Sequence, residues 1–136
     1  MTSEMPPGAE EISHAGFNRH VGPLYRLPDD GERTRFAFVV VSKHMNAAGS
    51  IHGGMLMAFA DVSMSRTTRL VTDAPSCSTV ALTCDFLAPG RLDEVIESRI
   101  RVTRRTRTMV FLSAEVAAGE RLLLVANGVW KIGSAR

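Results

Sequence analysis

Apolar and polar residues alternate along the second half of the chain with a period of two. Over residues 94–103, Ile96, Ser98, Ile100 and Val102 share one face, while Glu97, Arg99 and Arg101 share the other. Over residues 108–117, Val110, Leu112, Ala114 and Val116 line up in the same way. This is the pattern of strands buried on one side. Residues 78–87 and 122–132 are further strand-length runs, with turn signals at Pro89-Gly90 and Gly119-Glu120. Upstream, residues 34–42 are rich in Val and Phe and predict one more strand.

Residues 52–71 break that rhythm. They are mostly good helix formers, with no proline and with glycine only at the front. From Met55 to Val62 the helix is apolar on every side but one, which predicts burial all round. Residues 43–50 read as a polar loop with His44 at the surface, and residues 73–76 as a turn. Near the start, residues 9–20 suggest a short amphipathic helix with Ile12 and Phe17 on its apolar side. Residues 27–31 read as a turn, and residues 1–8 as a flexible terminus ahead of one domain spanning 9–136.

The predicted order is a strand, one long helix, then a meander of about four antiparallel strands, an α+β arrangement. A helix apolar all round requires a sheet that curls about it, or a second chain that closes the gap. A curved open sheet also leaves strand edges unpaired, and pairing two copies removes them. A homodimer is therefore expected.

Composition narrows the classes. The chain has 136 residues, 45% hydrophobic and 22% charged, which fits one folded domain rather than a disordered segment. A net charge of +2 is too small to argue for nucleic acid. The two cysteines, Cys77 and Cys84, form no CxxC pair, and the histidines lack ligand spacing, so no metal is expected. The N-terminus has no signal-peptide core and no run is long enough to span a bilayer, so the expected location is the cytoplasm, with no membrane partner.

Asp61 does not fit its helix. It lies in MLMAFADVSM, and the positions three and four away are Met57, Ala58, Met64 and Ser65, none of them charged. An ionised carboxylate buried without a partner is costly. Either a group from a strand satisfies it and its role is structural, or it does chemistry. His52-Gly53-Gly54 tips the balance. The first N–H groups of a helix lack internal acceptors and carry partial positive charge, so they suit an oxyanion. Two glycines let a ligand approach the backbone there.

Asn46, Gly49, His52-Gly53-Gly54 and Ala60-Asp61, with this spacing, resemble the signature of the PaaI-like branch of the hotdog thioesterases. The run from Thr79 to Pro89-Gly90 resembles that family's strand ending in a Pro-Gly turn. The resemblance covers about residues 35–132. It implies a hotdog fold, with one long central helix wrapped by a curved antiparallel sheet of about five or six strands. It implies an acyl-CoA thioesterase in which Asp61 is general base or nucleophile and the Gly53 N–H is the oxyanion donor. Gly54 would help bind substrate, His52 would sit near the carbonyl, Asn46 would help place water or thioester, and Thr79 would support the water near Asp61. It further implies a site shared between protomers, Asn46, His52 and Gly53 from one and Asp61 and Thr79 from the other, in a homodimer or homotetramer. Thr106 departs from the family, whose members often carry glycine there.

Arg104, Arg105 and Arg107 form a basic cluster suited to the phosphates of CoA, which enters as part of the substrate and not as a cofactor. Arg99 and Arg101 read as a solvated sheet face. Met45, Met55, Met57, Met64 and Phe59 are expected mostly in the core, and His14, Phe17 and His20 could cap an acyl pocket. The acyl group is expected to be a small aryl or a short to medium chain. Two other readings compete. One is a hydratase or dehydratase acting on acyl thioesters on the same fold, with His52 and Asp61 as its pair. The other is a non-enzymatic acyl-CoA-binding module.

Overall fold

The computed structural model describes residues 4–133. The flexible stretch expected over 1–8 begins on residues outside that range. In chain order the elements are β1 (Glu10–Glu11), α1 (Gly16–Val21), β2 (Tyr25–Asp30), β3 (Arg33–Val39), α2 (Gly53–Thr72), β4 (Cys77–Phe86), β5 (Val95–Arg105), β6 (Met109–Ala118) and β7 (Arg121–Ile132). A 3-10 turn at Ser42–His44 leads into the loop before α2. The strands form one antiparallel sheet in the order β1-β2-β3-β5-β6-β7-β4.

This is the hotdog arrangement, with seven strands where five or six were expected. The additional strands are β1 and β2. The expected helix over 9–20 shortens to α1, because Glu10 and Glu11 pair with Arg26 and Tyr25 instead. Leu27 to Asp30 belongs to β2, and the turn falls at Gly31, whose φ of 60° suits glycine. Pro28 lies where the β2–β3 register is irregular, so its missing N–H breaks no regular ladder. The meander also needs correction. β5, β6 and β7 do follow one another, but β4 pairs with β7 at the far edge, because β3 occupies the free side of β5.

The concave face packs on α2. Phe36, Phe38, Ile96, Ile100, Leu112, Leu124 and Trp130 from the sheet meet Met55, Leu56, Phe59 and Met64 from the helix, all buried. Phe38 and Phe59 meet edge to face at 4.7 Å, which adds about 0.5–1.5 kcal/mol beyond the area buried. Met57 is exposed and Met45 only partly buried. The alternation read in β5 and β6 holds: Ile96, Ser98, Ile100, Val110, Leu112, Ala114 and Val116 are buried. Arg99 and Arg101 are exposed on the outer face, Arg99 paired with Asp30 at 3.4 Å.

Hydroxyl contacts fix the helix along its axis. Ser63 meets Ser98 at 2.8 Å, Thr67 meets Thr34 at 2.6 Å, and the Trp130 indole N–H donates to Ser65 Oγ at 2.7 Å. The helix is not covered all round, however. Ala58, Asp61, Val62, Ser65 and Arg66 are only partly buried and Arg69 is exposed, so the flank turned from the sheet is open in the single chain.

Trp130 is fully buried and its indole can only donate, so Ser65→Ala strands that N–H. The expected cost is about 1–3 kcal/mol, read from the urea midpoint. An unchanged midpoint would show that the contact does not hold the helix.

Candidate active site

The loop ahead of α2 is built by Asn46. Its side-chain carbonyl accepts the N–H groups of Ala48 at 2.9 Å and Ser50 at 3.0 Å, and its amide donates to Ser50 Oγ at 3.0 Å. The helix then starts with His52 as its cap. His52 Nδ1 accepts the Gly54 N–H at 2.8 Å, so the neutral ring carries its proton on Nε2. The His52 carbonyl accepts from Met55 at 2.9 Å and Leu56 at 3.3 Å. Among the described residues this leaves Gly53 as the one amide of the first turn without an acceptor. The Phe86 ring of β4 lies against it: a Cβ on Gly53 would sit 3.3 Å from that ring.

Asp61 lies two turns further along. It is partly buried rather than enclosed, and among the described residues no cation pairs with it. Its strand partner is a hydroxyl, for Thr79 Oγ1 donates to Asp61 Oδ1 at 2.6 Å. A shallow cleft of about 140 Å³ runs past it, lined by Ile12, Asn18, Ser65 and Arg66 among others.

A bulge makes the Thr79 contact possible. Along β4, Leu82, Cys84 and Phe86 pair across from Gly128, Ala126 and Leu124. Strict alternation from these positions would turn Ser78 and Val80 toward the helix and Thr79 away. The register shifts between Thr79 and Ala81, leaving Val80 as an extra residue. Thr79 thereby takes the place opposite buried Trp130, facing α2.

His44 overturns its expected place at the surface. It is 2% exposed, stacked edge-on against Phe38. Nδ1 accepts the Val41 N–H at 3.1 Å and Nε2 donates to the Val21 carbonyl at 2.6 Å, while its own carbonyl accepts the His52 N–H at 2.8 Å. One ring thus ties the end of α1 to the loop that presents the helix start. Burial holds its pKa below the usual 6.5, with Lys43 adding in the same direction against the bond to Val21.

Beside this histidine lies a cleft of about 190 Å³, lined by Phe17, His20, Val21, Lys43, His52, Gly54, Met55 and Ala58. Phe17 and His20 therefore do face the helix start, whereas His14 pairs with Glu11. Arg105 donates to the Val71 carbonyl at 2.9 Å and so closes the far end of α2. Arg104 and Arg107 are exposed near the same hairpin, whose turn Thr106 fastens by accepting the Met109 N–H at 3.0 Å. Burial raises the thiol pKa of both Cys77 and Cys84, which argues against either as a nucleophile. Among the described residues no three His, Cys, Asp or Glu side chains converge as metal ligands, and no helix is long and apolar enough to cross a membrane.

The structure thus brings Asp61 and Thr79 into contact, and His52, Gly53 and Gly54 to one helix start. Arg104, Arg105 and Arg107 lie at the opposite helix end. The sequence pattern pointed to no such place for His44, Ser65 or Phe86. For His44 the only sequence signal was the short spacing to His52 across a loop rich in small residues.

Comparison with known proteins gives this geometry a class, the hotdog thioester hydrolases. Residues 48–125 match the family described as the Thioesterase superfamily, and the protein belongs to it. A candidate esterase of Pseudomonas aeruginosa, PA0474, is 32% identical over 82% of this chain and 84% of its own. Human acyl-coenzyme A thioesterase 13 is 30% identical over 82% of this chain and 80% of its own. Among solved structures, a mutant form of the phenylacetic acid degradation protein PaaI of Thermus thermophilus superposes with a TM-score of 0.76 at 20% identity, covering 86% of this chain and 98% of that one.

The His44 environment yields a pH dependence. Native His44 resists a proton that the unfolded chain accepts near pH 6.5. Its contribution to stability is complete above that value and is lost as pH falls below it toward the lowered native pKa. Urea midpoints should therefore fall as the pH drops below about 6.5, and His44→Gln should flatten that fall. An equal slope in the variant would assign the effect to other groups.

Proposed function

We propose that this thioester hydrolase cleaves small aryl-CoA or short- to medium-chain acyl-CoA to the free acid and CoA, at a site shared by two copies of the chain. The carrying observation is a helix carboxylate, Asp61, bonded to no cation among the described residues, held by a hydroxyl and open to a cleft. Thr79 engages only Oδ1, which leaves Oδ2 to act. As general base it takes a proton from water while the water oxygen attacks the carbonyl carbon. As nucleophile it attacks directly and water cleaves the resulting anhydride. In either route the carbonyl oxygen becomes an oxyanion on the Gly53 N–H, and collapse expels the CoA thiolate, which takes up a proton. His52 Nε2–H flanks that oxygen, and Asn46 shapes the loop that presents both. CoA enters as part of the substrate and leaves as free thiol, and no further cofactor is required.

A helix rises 1.5 Å per residue, so Gly53 and Asp61 of one chain stand about 12 Å apart along the axis. A single carbonyl cannot reach both. The open edge supports a second copy as the missing half. β4 is ten residues long, pairs on one side only among the described residues, and it and the residue that follows it expose Val80, Phe86 and Leu87 by 52–55%. A long apolar edge is a template for pairing. Two copies joined there bring Phe86, which touches Gly53, to the same seam as Thr79, which touches Asp61.

The 190 Å³ cleft beside Gly54 supports the acyl class. An apolar cavity of about 150 Å³ holds benzene, so a phenyl ring or a short chain fits. The names of the relatives, an acyl-coenzyme A thioesterase and a phenylacetic acid degradation protein, favour the same chemistry. Arg104 and Arg107 are retained as contacts for CoA phosphates.

Asp61→Asn should keep the fold and lower kcat on acyl-CoA by about 10²–10⁴-fold, followed as free thiol. Gly53→Pro deletes the amide donor at a position where helices tolerate proline, and should cost about 10²–10³-fold. Mixing the two inactive proteins under exchange should restore about a quarter of the wild-type rate, since half the dimers then carry one intact site of two. No recovery despite proven exchange would place the site within one chain.

A further inference from the structure

The open flank of α2 holds more than Asp61. Val62, Ser65, Arg66 and Arg69 continue along it, with Ile12 and the α1 residue Asn18 across the cleft. Arg66 and Arg69 form no ion pair and no hydrogen bond among the described residues. Arg66 is partly buried, and burial together with the neighbouring Arg69 and Arg26 lowers its pKa, with Glu10 the one acid that opposes this. Like charges three apart on a helix are unfavourable, and more so where water is partly excluded. A guanidinium group kept half buried beside two others, with no carboxylate bonded to it, lacks its counter-ion.

We propose that Arg66 and Arg69, in addition to Arg104 and Arg107 at the hairpin, form a phosphate-binding site that takes phosphate groups of CoA while the thioester lies at Asp61. This rests on the acyl-CoA reading above. Two planar forks one helical turn apart suit phosphate oxygens. Their position suits one molecule reaching both points, for Arg66 lies about 7.5 Å and Arg69 about 12 Å beyond Asp61 along the axis. Arg105, by contrast, is committed to the Val71 carbonyl at the helix end. Asn18 stands opposite with an amide able to donate to the same anion. The site belongs to the chain that supplies Asp61, so within a shared site the acyl cleft and the phosphate cleft come from different copies.

The test uses the full chain carrying Arg66→Gln and Arg69→Gln together. Acyl-CoA is compared with the same acyl group on N-acetylcysteamine, a thioester without phosphate. The ratio of their kcat/KM values should fall at least about tenfold in the variant, through KM for acyl-CoA. An unchanged ratio overturns the site, and so does an equal loss on both esters, which marks a structural role. A second arm titrates CoA itself by calorimetry, independent of turnover. Weakening of about tenfold or more in the variant supports the site even if no ester is hydrolysed, in which case the thioesterase reading alone falls. Equal CoA affinity in both proteins overturns the site while leaving hydrolysis intact.

Discussion

A twenty-residue helix pressed into the concave face of an antiparallel sheet sets where every other functional group lies. Apolar packing of Met55, Leu56, Phe59 and Met64 supplies the attraction, but such packing is non-directional and tolerates sliding. The hydroxyl contacts of Ser63, Ser65 and Thr67 remove that freedom, because each leaves a polar atom stranded if the helix shifts. Axial register in turn decides that Asp61 faces Thr79 and that Gly53 sits under Phe86. Core and chemistry are thus held by one set of contacts.

The same helix leaves the single chain unfinished in two respects. Its far flank is uncovered, and Gly53 and Asp61, the two groups of the proposed mechanism, stand about 12 Å apart along it, more than a thioester can bridge. The strand that packs beside it, β4, is also the long edge strand, unpaired on its outer side among the described residues and carrying exposed apolar side chains. On the proposed reading, one strand therefore links stability, assembly and catalysis. A charge placed along β4 to keep chains apart would act on all three together, and a change on the outer face of β5 or β6 on none of them.

The fold was legible where periodicity is strong. The alternation around Ile96–Ile100 and Val110–Val116 located β5 and β6, and the helix was placed within one residue at each end. β2 was hidden because Pro28, Asp29 and Asp30 read as a turn, while its pairing depends on β3 and not on its own residues. Asp61 stood out by lacking a charged neighbour, and Thr79 was placed beside it by resemblance alone. Local pattern would have turned Thr79 outward, since a bulge that inverts alternation leaves no mark in a sequence. His44 was misplaced because what buries it, Val21 at the end of α1 and Phe38 in β3, lies outside its own loop, where Ser42, Lys43 and Asn46 are polar. The open flank of α2 was missed for a related reason: apolar content predicts a need for cover, not which molecule supplies it.

Trp130 is the only tryptophan, and its indole N–H ends on Ser65, one helical turn from Asp61 and on the wall of the cleft beside it. Indole emission responds to the loss or strengthening of such a bond. A ligand that enters the cleft and disturbs Ser65 should therefore change the light the indole emits, with no label added and no modified substrate.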